Sequence, residues 1–314
     1  MRGRTSDIPR PLRRTILPGI VLAVALGVLL PSPLSGFGGA WVKGPGGYYF
    51  SVGFSSTTAG SERGFQGEER PLYRDTLRIA RGSIGISNFS IYNEFGWNDW
   101  LTSQVSARYT VVVREADLVE RGMEGERINE SASGIGDVDL GLRLRLPVPV
   151  SGMAAALNLG WKVPLAPATT EIPLGTGAAD YDAGLALGYS FPVLDDAWGF
   201  VQTAGAWRLR NGAADEFVWR LQGGVPIIST LSAELQLDGV HSTANFDDAV
   251  EGDDPLSLNR MVGSQSYLHF STALTYRLND WTDLQARYTT TIAGRNTLDA
   301  QTIGVGVAWK GVRN

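Results

Sequence analysis

The chain has 314 residues, 27 Lys+Arg against 32 Asp+Glu, a net charge of -5 and no cysteine. Without cysteine there are no disulfides, thiolate metal sites or cysteine nucleophiles. The mild acidic balance gives no support to nucleic-acid binding, and a 43% hydrophobic content is not that of a disordered chain.

Residues 1–40 read as a secretory signal peptide. Arg2, Arg4, Arg10, Arg13 and Arg14 precede an apolar run from Ile16 to Leu30, which Pro31 and Pro33 break. Gly38, Gly39 and Ala40 then supply small residues for cleavage before Trp41. The alternative is a single N-terminal membrane anchor, for which the run is short. No later segment is apolar for long enough to cross a bilayer as a helix, so a helical bundle is excluded.

From residue 41 the dominant signal is alternation. Val138, Leu140, Leu142, Leu144 and Leu146 point one way, with Asp137, Asp139, Gly141, Arg143 and Arg145 between them. Period 2 is the signature of a strand. The pattern predicts twelve strands, over 47–56, 81–96, 100–112, 134–146, 153–163, 180–191, 198–210, 215–224, 229–240, 264–278, 281–293 and 297–309. The second is the least regular, and a bulge is expected around Ser87-Asn88-Phe89.

The connections alternate between short and long. Asn98-Asp99 and Asn279-Asp280 suit tight turns, and Trp97, Trp100 and Trp281 beside them suit an interfacial girdle. Three other short links carry Pro147, Pro192 and Pro226 between apolar residues. The long links 57–80, 113–133, 164–179 and 241–263 all fall at the other end. Short periplasmic turns and long external loops are the outer-membrane pattern, and an even strand number returns both chain ends to the periplasmic side. A soluble β-sandwich would also alternate, but these spans exceed ordinary sandwich strands. Their polar faces are rich in Gly, Ala and Ser, as a crowded lumen requires. The expected fold is therefore all-β, a closed antiparallel transmembrane β-barrel of 12 strands over residues 41–314, in the outer membrane of a Gram-negative bacterium. Its expected partners are outer-membrane lipid, lipopolysaccharide and the outer-membrane assembly machinery.

Ser133-Gly134-Ile135-Gly136-Asp137-Val138-Asp139-Leu140-Gly141-Leu142-Arg143 resembles the strand motif of barrels in the phenol-degradation meta-pathway transporter family. Gly39-Ala40-Trp41-Val42-Lys43-Gly44-Pro45-Gly46-Gly47-Tyr48-Tyr49 and Ile91-Tyr92-Asn93-Glu94-Phe95-Gly96-Trp97-Asn98-Asp99-Trp100-Leu101 are similar to the related XagA-type surface proteins. The resemblance covers most of 40–309. It implies movement of small hydrophobic or aromatic compounds across the outer membrane. The chain departs from the usual aromatic terminus of such barrels, since Lys310 to Asn314 follow Trp309.

The alternation places charges of both signs on the lumen face. Arg143 with Arg145, and Arg208 with Arg210, each stack two cations on one face and are the leading solute-contact candidates. Glu94, Arg108, Asp182, Glu234, His269 and Arg287 complete the candidate set; Asp137, Asp139, Lys162, Asp180, Glu216, Arg220, Asp238, Arg277 and Asp283 share that face. Such charges can line a water path or pair across strands and close it. The expectation is a narrow or gated channel, or a lateral route for apolar solutes; the alternatives are a wide porin and a closed structural or surface-interaction barrel.

No enzyme, cofactor or metal is expected. An outer-membrane lipid hydrolase needs a base within reach of its nucleophile. His241 and Ser242 are adjacent, so they face opposite sides of a strand, with Asn245 beyond them. His269 and Ser271 share a face, but the lumen one. Asp247, Asp248, Glu251, Asp253 and Asp254 lack the spacing of a calcium loop and read as solvated. The charged link 113–133 is expected to fold over the mouth or meet lipopolysaccharide.

Overall fold

The computed structural model describes residues 39–72, 79–118, 127–166, 172–194, 197–244 and 265–312. Residues 1–38 of the expected signal peptide, and the acidic run 247–254, lie outside the described residues.

The strands are β1 (Gly47–Arg63), β2 (Glu69–Pro71), β3 (Ile79–Asn98), β4 (Leu101–Leu118), β5 (Arg127–Leu146), β6 (Met153–Val163) and β7 (Asp180–Leu194). They continue as β8 (Ala197–Arg210), β9 (Glu216–Ile228), β10 (Leu231–Ser242), β11 (Ser266–Asn279), β12 (Thr282–Arg295) and β13 (Thr297–Val312). Every neighbour pair is antiparallel, and β1 pairs with β13 from Gly47–Val312 to Arg63–Thr297. The sheet closes on itself, leaving β2 as a short flap on β1. This is the closed 12-strand barrel that the alternation predicts. Closure removes sheet edges that an open amphipathic sheet would expose.

Both described ends of the chain and the short turns lie at one end, the turn end; the long links lie at the loop end. Asn98 Oδ1 accepts from Trp100 N and Leu101 N at 3.0 and 2.9 Å, and Asn279 Oδ1 accepts from Trp281 N at 3.0 Å. Those side chains close the two turns, and Trp97, Trp100 and Trp281 stand exposed around them. Pro192 and Pro226 lie within β7 and β9 rather than in turns, each beside a register shift. A proline there has no N–H to give the ladder.

Exposed apolar side chains cover the outer wall, among them Phe89, Ile91, Leu185, Leu187, Leu221, Leu235, Leu274 and Ile303. The inner face holds the buried charges, as alternation requires.

The expected bulge at Ser87-Asn88-Phe89 is absent. β3 keeps continuous register with β1 from Ala59–Ile84 to Tyr48–Phe95, and with β4 through the same stretch. What looked like a bulge is an inversion of amphipathic phase. Phe89 and Ile91 face outward, whereas Ile84 and Ile86 face inward, with Ser83, Gly85 and Ser87 outside. β13 inverts one side chain higher, with Ile303 outside and Leu298 and Ala300 inside; on β4 Val111 and Val113 extend the apolar outer face above Tyr109 as far as Glu115, while Val112 and Ala116 face inward. At this level the irregularity lies on β5, where Gly136 and Asp137 interrupt the register opposite Arg108.

The inversion occurs where the wall becomes tall. β3 and β5 run to 20 residues while β6 has 11. Much of the expected links 57–80 and 113–133 is therefore strand. Above Val138 β5 has no β6 partner, and the backbone ladder between β12 and β13 ends at Thr290–Gln301, beyond which Thr291 bridges to Leu298 and Ala300 by its side chain. Strands β13, β1, β3, β4 and β5 thus form a palisade at the loop end, with Ser83, Gly85, Ser87 and Glu115 on its outer side and Ile84, Ile86, Val112, Leu298 and Ala300 on its inner side.

Candidate functional site

The lumen has three levels. At the turn end residues 39–46 fold back inside the barrel ahead of β1. Ala40 N donates to Gln202 Oε1 at 3.1 Å on β8, and Lys43 N donates to Thr102 Oγ1 at 2.8 Å on β4. Arg143 donates to the Trp41 carbonyl at 2.6 Å. The segment therefore crosses from the β3–β5 wall to the β7–β8 wall. The Trp41 ring lies edge-on to Phe200, with centroids 5.8 Å apart. It also covers Gly188, where a Cβ would come within 2.5 Å of the ring. Glycine at 188 is what lets the indole pack against the wall.

Glu94 anchors this level. It pairs with Arg143 at 3.0 Å and Lys43 at 3.3 Å, and accepts from the Tyr92 hydroxyl at 2.7 Å. Burial holds the Lys43 ammonium below its ordinary pKa, against the pull of Glu94. Neither Lys43 nor Trp41 belongs to a strand, so alternation could not place them in the lumen. The available signal was Gly44-Pro45-Gly46-Gly47, a turn cluster that reverses the chain into β1. Lys310, beyond the expected last strand, is also inside and pairs with Asp283 at 2.6 Å.

The middle level is a girdle of cross-strand ion pairs. Arg208 meets Asp182 through two bonds, 2.8 and 3.1 Å, and Glu216 at 3.2 Å. Arg210 meets Glu216 at 2.7 Å, Lys162 meets Asp180 at 2.6 Å, and Arg220 meets Asp238 at 2.7 Å. Arg287 pairs with Glu234 at 2.6 Å and with Gln236 at 3.1 Å. Buried charges persist when paired this way, and removal of one partner is the costly event. His269 stacks on Tyr267 at 4.2 Å.

The structure divides the two cation pairs. Arg208 and Arg210 lie together, joined through Glu216. Arg143 is buried among Glu94 and Trp41, while Arg145 is exposed at the turn-end rim. Glu94, Arg143 and Lys43 form one cluster; Asp182, Arg208 and Arg210 form another; Glu234 and Arg287 form a third. Arg108 stands apart, with an ion pair to Asp139 at 3.7 Å and a side chain one quarter exposed. His241 is exposed outside and Ser242 buried inside, while Ser271 Oγ bonds Thr289 Oγ1 at 2.8 Å.

The loop-end level is largely apolar, with the Arg114–Glu130 and Arg70–Glu62 ion pairs set beside its apolar cluster. Ala59, Leu72, Ile84, Val112, Ala116 and Ile172 form a buried cluster, with Leu174, Leu298 and Ala300 packed on it. Ile172 and Leu174 come from the link between β6 and β7, which folds inward. Asp137 holds that link, accepting from Thr176 N at 2.7 Å and Thr176 Oγ1 at 2.9 Å. Gly175 lies directly over the Asp137 carboxylate, where any side chain would collide. Between the palisade and the girdle is a cavity of about 490 Å³, lined by Ile86, Val112, Leu174 and Leu298 on one side and by Lys162, Arg208, Tyr267, His269 and Arg287 on the other. Arg108 lines it as well.

The COG4313 outer membrane channel from Pseudomonas putida F1 shares this fold, with a TM-score of 0.57 at 12% identity, over 90% of this chain and 100% of that one. The NanC porin matches at TM-score 0.48 and 9% identity, over 83% and 100% of the two chains. The KdgM porin matches at 0.45 and 7%, over 82% and 98%. No family model matches the sequence, and no curated protein matches it. The fold is that of an outer-membrane β-barrel.

Proposed function

We propose that the protein is a gated channel of the Gram-negative outer membrane, passing small hydrophobic or aromatic compounds, and that it is not an enzyme. One observation carries the reading: residues 41–46, the first of the mature chain, cross the lumen at the turn end, held by the Lys43–Glu94 ion pair, two hydrogen bonds to the wall and one indole. A plug of six residues on such contacts is displaceable, unlike a fused wall. The shared fold with the COG4313 outer membrane channel from Pseudomonas putida F1, and the resemblance to phenol-degradation meta-pathway transporters, support the same direction. In this reading the turn end is periplasmic, the palisade stands outside the cell beside lipopolysaccharide, and the assembly machinery inserts the barrel.

A specific observation favours a second reading, a closed structural or surface-interaction barrel. Ion pairs ring the middle of the lumen, and each would have to coexist with a passing solute. Single-channel recording on the refolded protein separates the two. The channel reading expects small, recurrent steps that grow when Trp41 and Lys43 are both replaced by Gly. Confirmed insertion with no conductance in either protein leaves the closed barrel. Release of fatty acid from vesicles carrying the protein would overturn the non-enzymatic reading.

A further inference from the structure

The cavity beneath the palisade has two unlike walls. Ile86, Val112, Leu174, Leu298 and Ala300 give it an apolar side, and the ion-pair girdle gives it a polar one. At about 490 Å³ it falls within the range of small-molecule sites, which are largely apolar with a few convergent polar groups.

The charges on the polar side are mostly committed. Asp137 is taken by Thr176, Glu216 lies between Arg208 and Arg210, and Asp238 by Arg220. Among the described residues Asp137 has no cation and its Oδ1 no partner, but Gly175 and Thr176 lie directly over that carboxylate and close it to a cationic solute. The cations Lys162, Arg208, Arg210 and Arg287 each have an acid within 2.8 Å. Arg108 differs. Its ion pair, to Asp139, spans 3.7 Å, and Asp139 also accepts from Ser106 Oγ at 3.3 Å. A guanidinium carries five donors in a fork that fits a carboxylate through two bonds. Here that fork sits at the foot of an apolar wall, opposite the interruption in β5.

We infer that this cavity is a binding site for an amphipathic organic anion, with a compact apolar body against Ile86, Val112 and Leu298 and one carboxylate on Arg108. The inference rests on the channel reading, which makes the cavity the first station of the solute's route, and it narrows the solute class. A purely apolar solute leaves Arg108 as it is; a small hydrated anion gains nothing from the apolar wall. The site needs both parts of the molecule.

The test compares cyclohexanecarboxylate with cyclohexylmethanol by isothermal titration against the folded protein in nanodiscs, with empty nanodiscs as the baseline. The acid is expected to bind more tightly than the alcohol by about tenfold or more. Arg108→Gln should abolish that preference while leaving the alcohol within about twofold, because uncharged contacts stay intact. Val112→Phe should weaken both by filling the apolar side, and it serves where Arg108→Gln fails to fold. Equal binding of acid and alcohol, or an Arg108→Gln protein that keeps the preference, overturns the inference. Binding with the expected dependences in a protein that never conducts keeps the site and removes the channel. Conductance with no binding above empty nanodiscs keeps the channel and removes the site.

Discussion

The turn half and the loop half of this lumen hold themselves together in different ways. In the turn half, Glu94, Arg143 and Lys43 are enclosed by a wall whose outside faces lipid, so the inside had to be polar and every charge had to find a partner. In the loop half, Ile84, Val112 and Leu298 fill the inside because the same strands have left the lipid and their outer faces carry Ser83, Ser87 and Glu115. One strand, β3, serves both halves without a break in register. The solvent outside the wall, not the strand itself, decides which face is apolar.

The largest expected effect breaks the turn half. Glu94→Ala leaves two buried cations facing each other and should cost about 3–5 kcal/mol, read as a lower unfolding midpoint in denaturant. Conductance steps should grow in the same variant as residues 41–46 leave the lumen. A barrel of unchanged stability would mean that the cluster is not what holds this half. The next test sharpens the boundary between the halves. Ile91→Lys puts a charge into the lipid-facing band and should cost about 2–4 kcal/mol, whereas Ser87→Lys, two side chains further along the same face, should stay within about 0.5 kcal/mol. Equal costs would place both in one environment and remove the inversion as an explanation.

A smaller effect isolates the plug. Gly188→Val drives a side chain into the Trp41 ring, at a cost of about 1–3 kcal/mol, and larger steps are expected from a barrel that still folds. The smallest touches the loop half alone. Asp137→Asn weakens the hold on Thr176 by about 1 kcal/mol, and limited proteolysis should then cut the 164–179 link faster, with the barrel midpoint nearly unmoved.

Much of the architecture was legible because alternation fixes facing. Asp182, Arg208, Arg220 and Arg287 could be placed on the inner face from period 2 alone, and the Asn98 and Asn279 turns from their chemistry. Pairing was less legible. Arg143 faces Asn158 on one neighbouring strand and Thr102 on the other, yet its acid partner, Glu94, is two strands away across β4. Strand register does not encode contacts made across a curved interior. The phase inversion in β3 was visible as irregularity but misread as a bulge, since a sequence cannot say where the lipid stops. Residues 39–46 escaped for a different reason. They form no strand, and only the fold shows that the space inside the barrel receives them.

The inversion also measures a height. The row Val305, Phe54, Phe89, Tyr109 and Ile135 is in register across β13, β1, β3, β4 and β5, and on β3 it marks the upper edge of the lipid-facing band. From Phe89 to Trp97 is eight residue steps, or about 26 Å along the strand and about 20 Å across the bilayer at the usual tilt of about 40°. Tyr181 to Tyr189, on the opposite wall, spans the same eight steps. A band of that height suits a thin membrane, as the bacterial outer membrane is, and mismatches a bilayer core of about 30 Å. Short-chain lipids should therefore be the solvent in which this chain folds fastest, and thick ones should pinch around it.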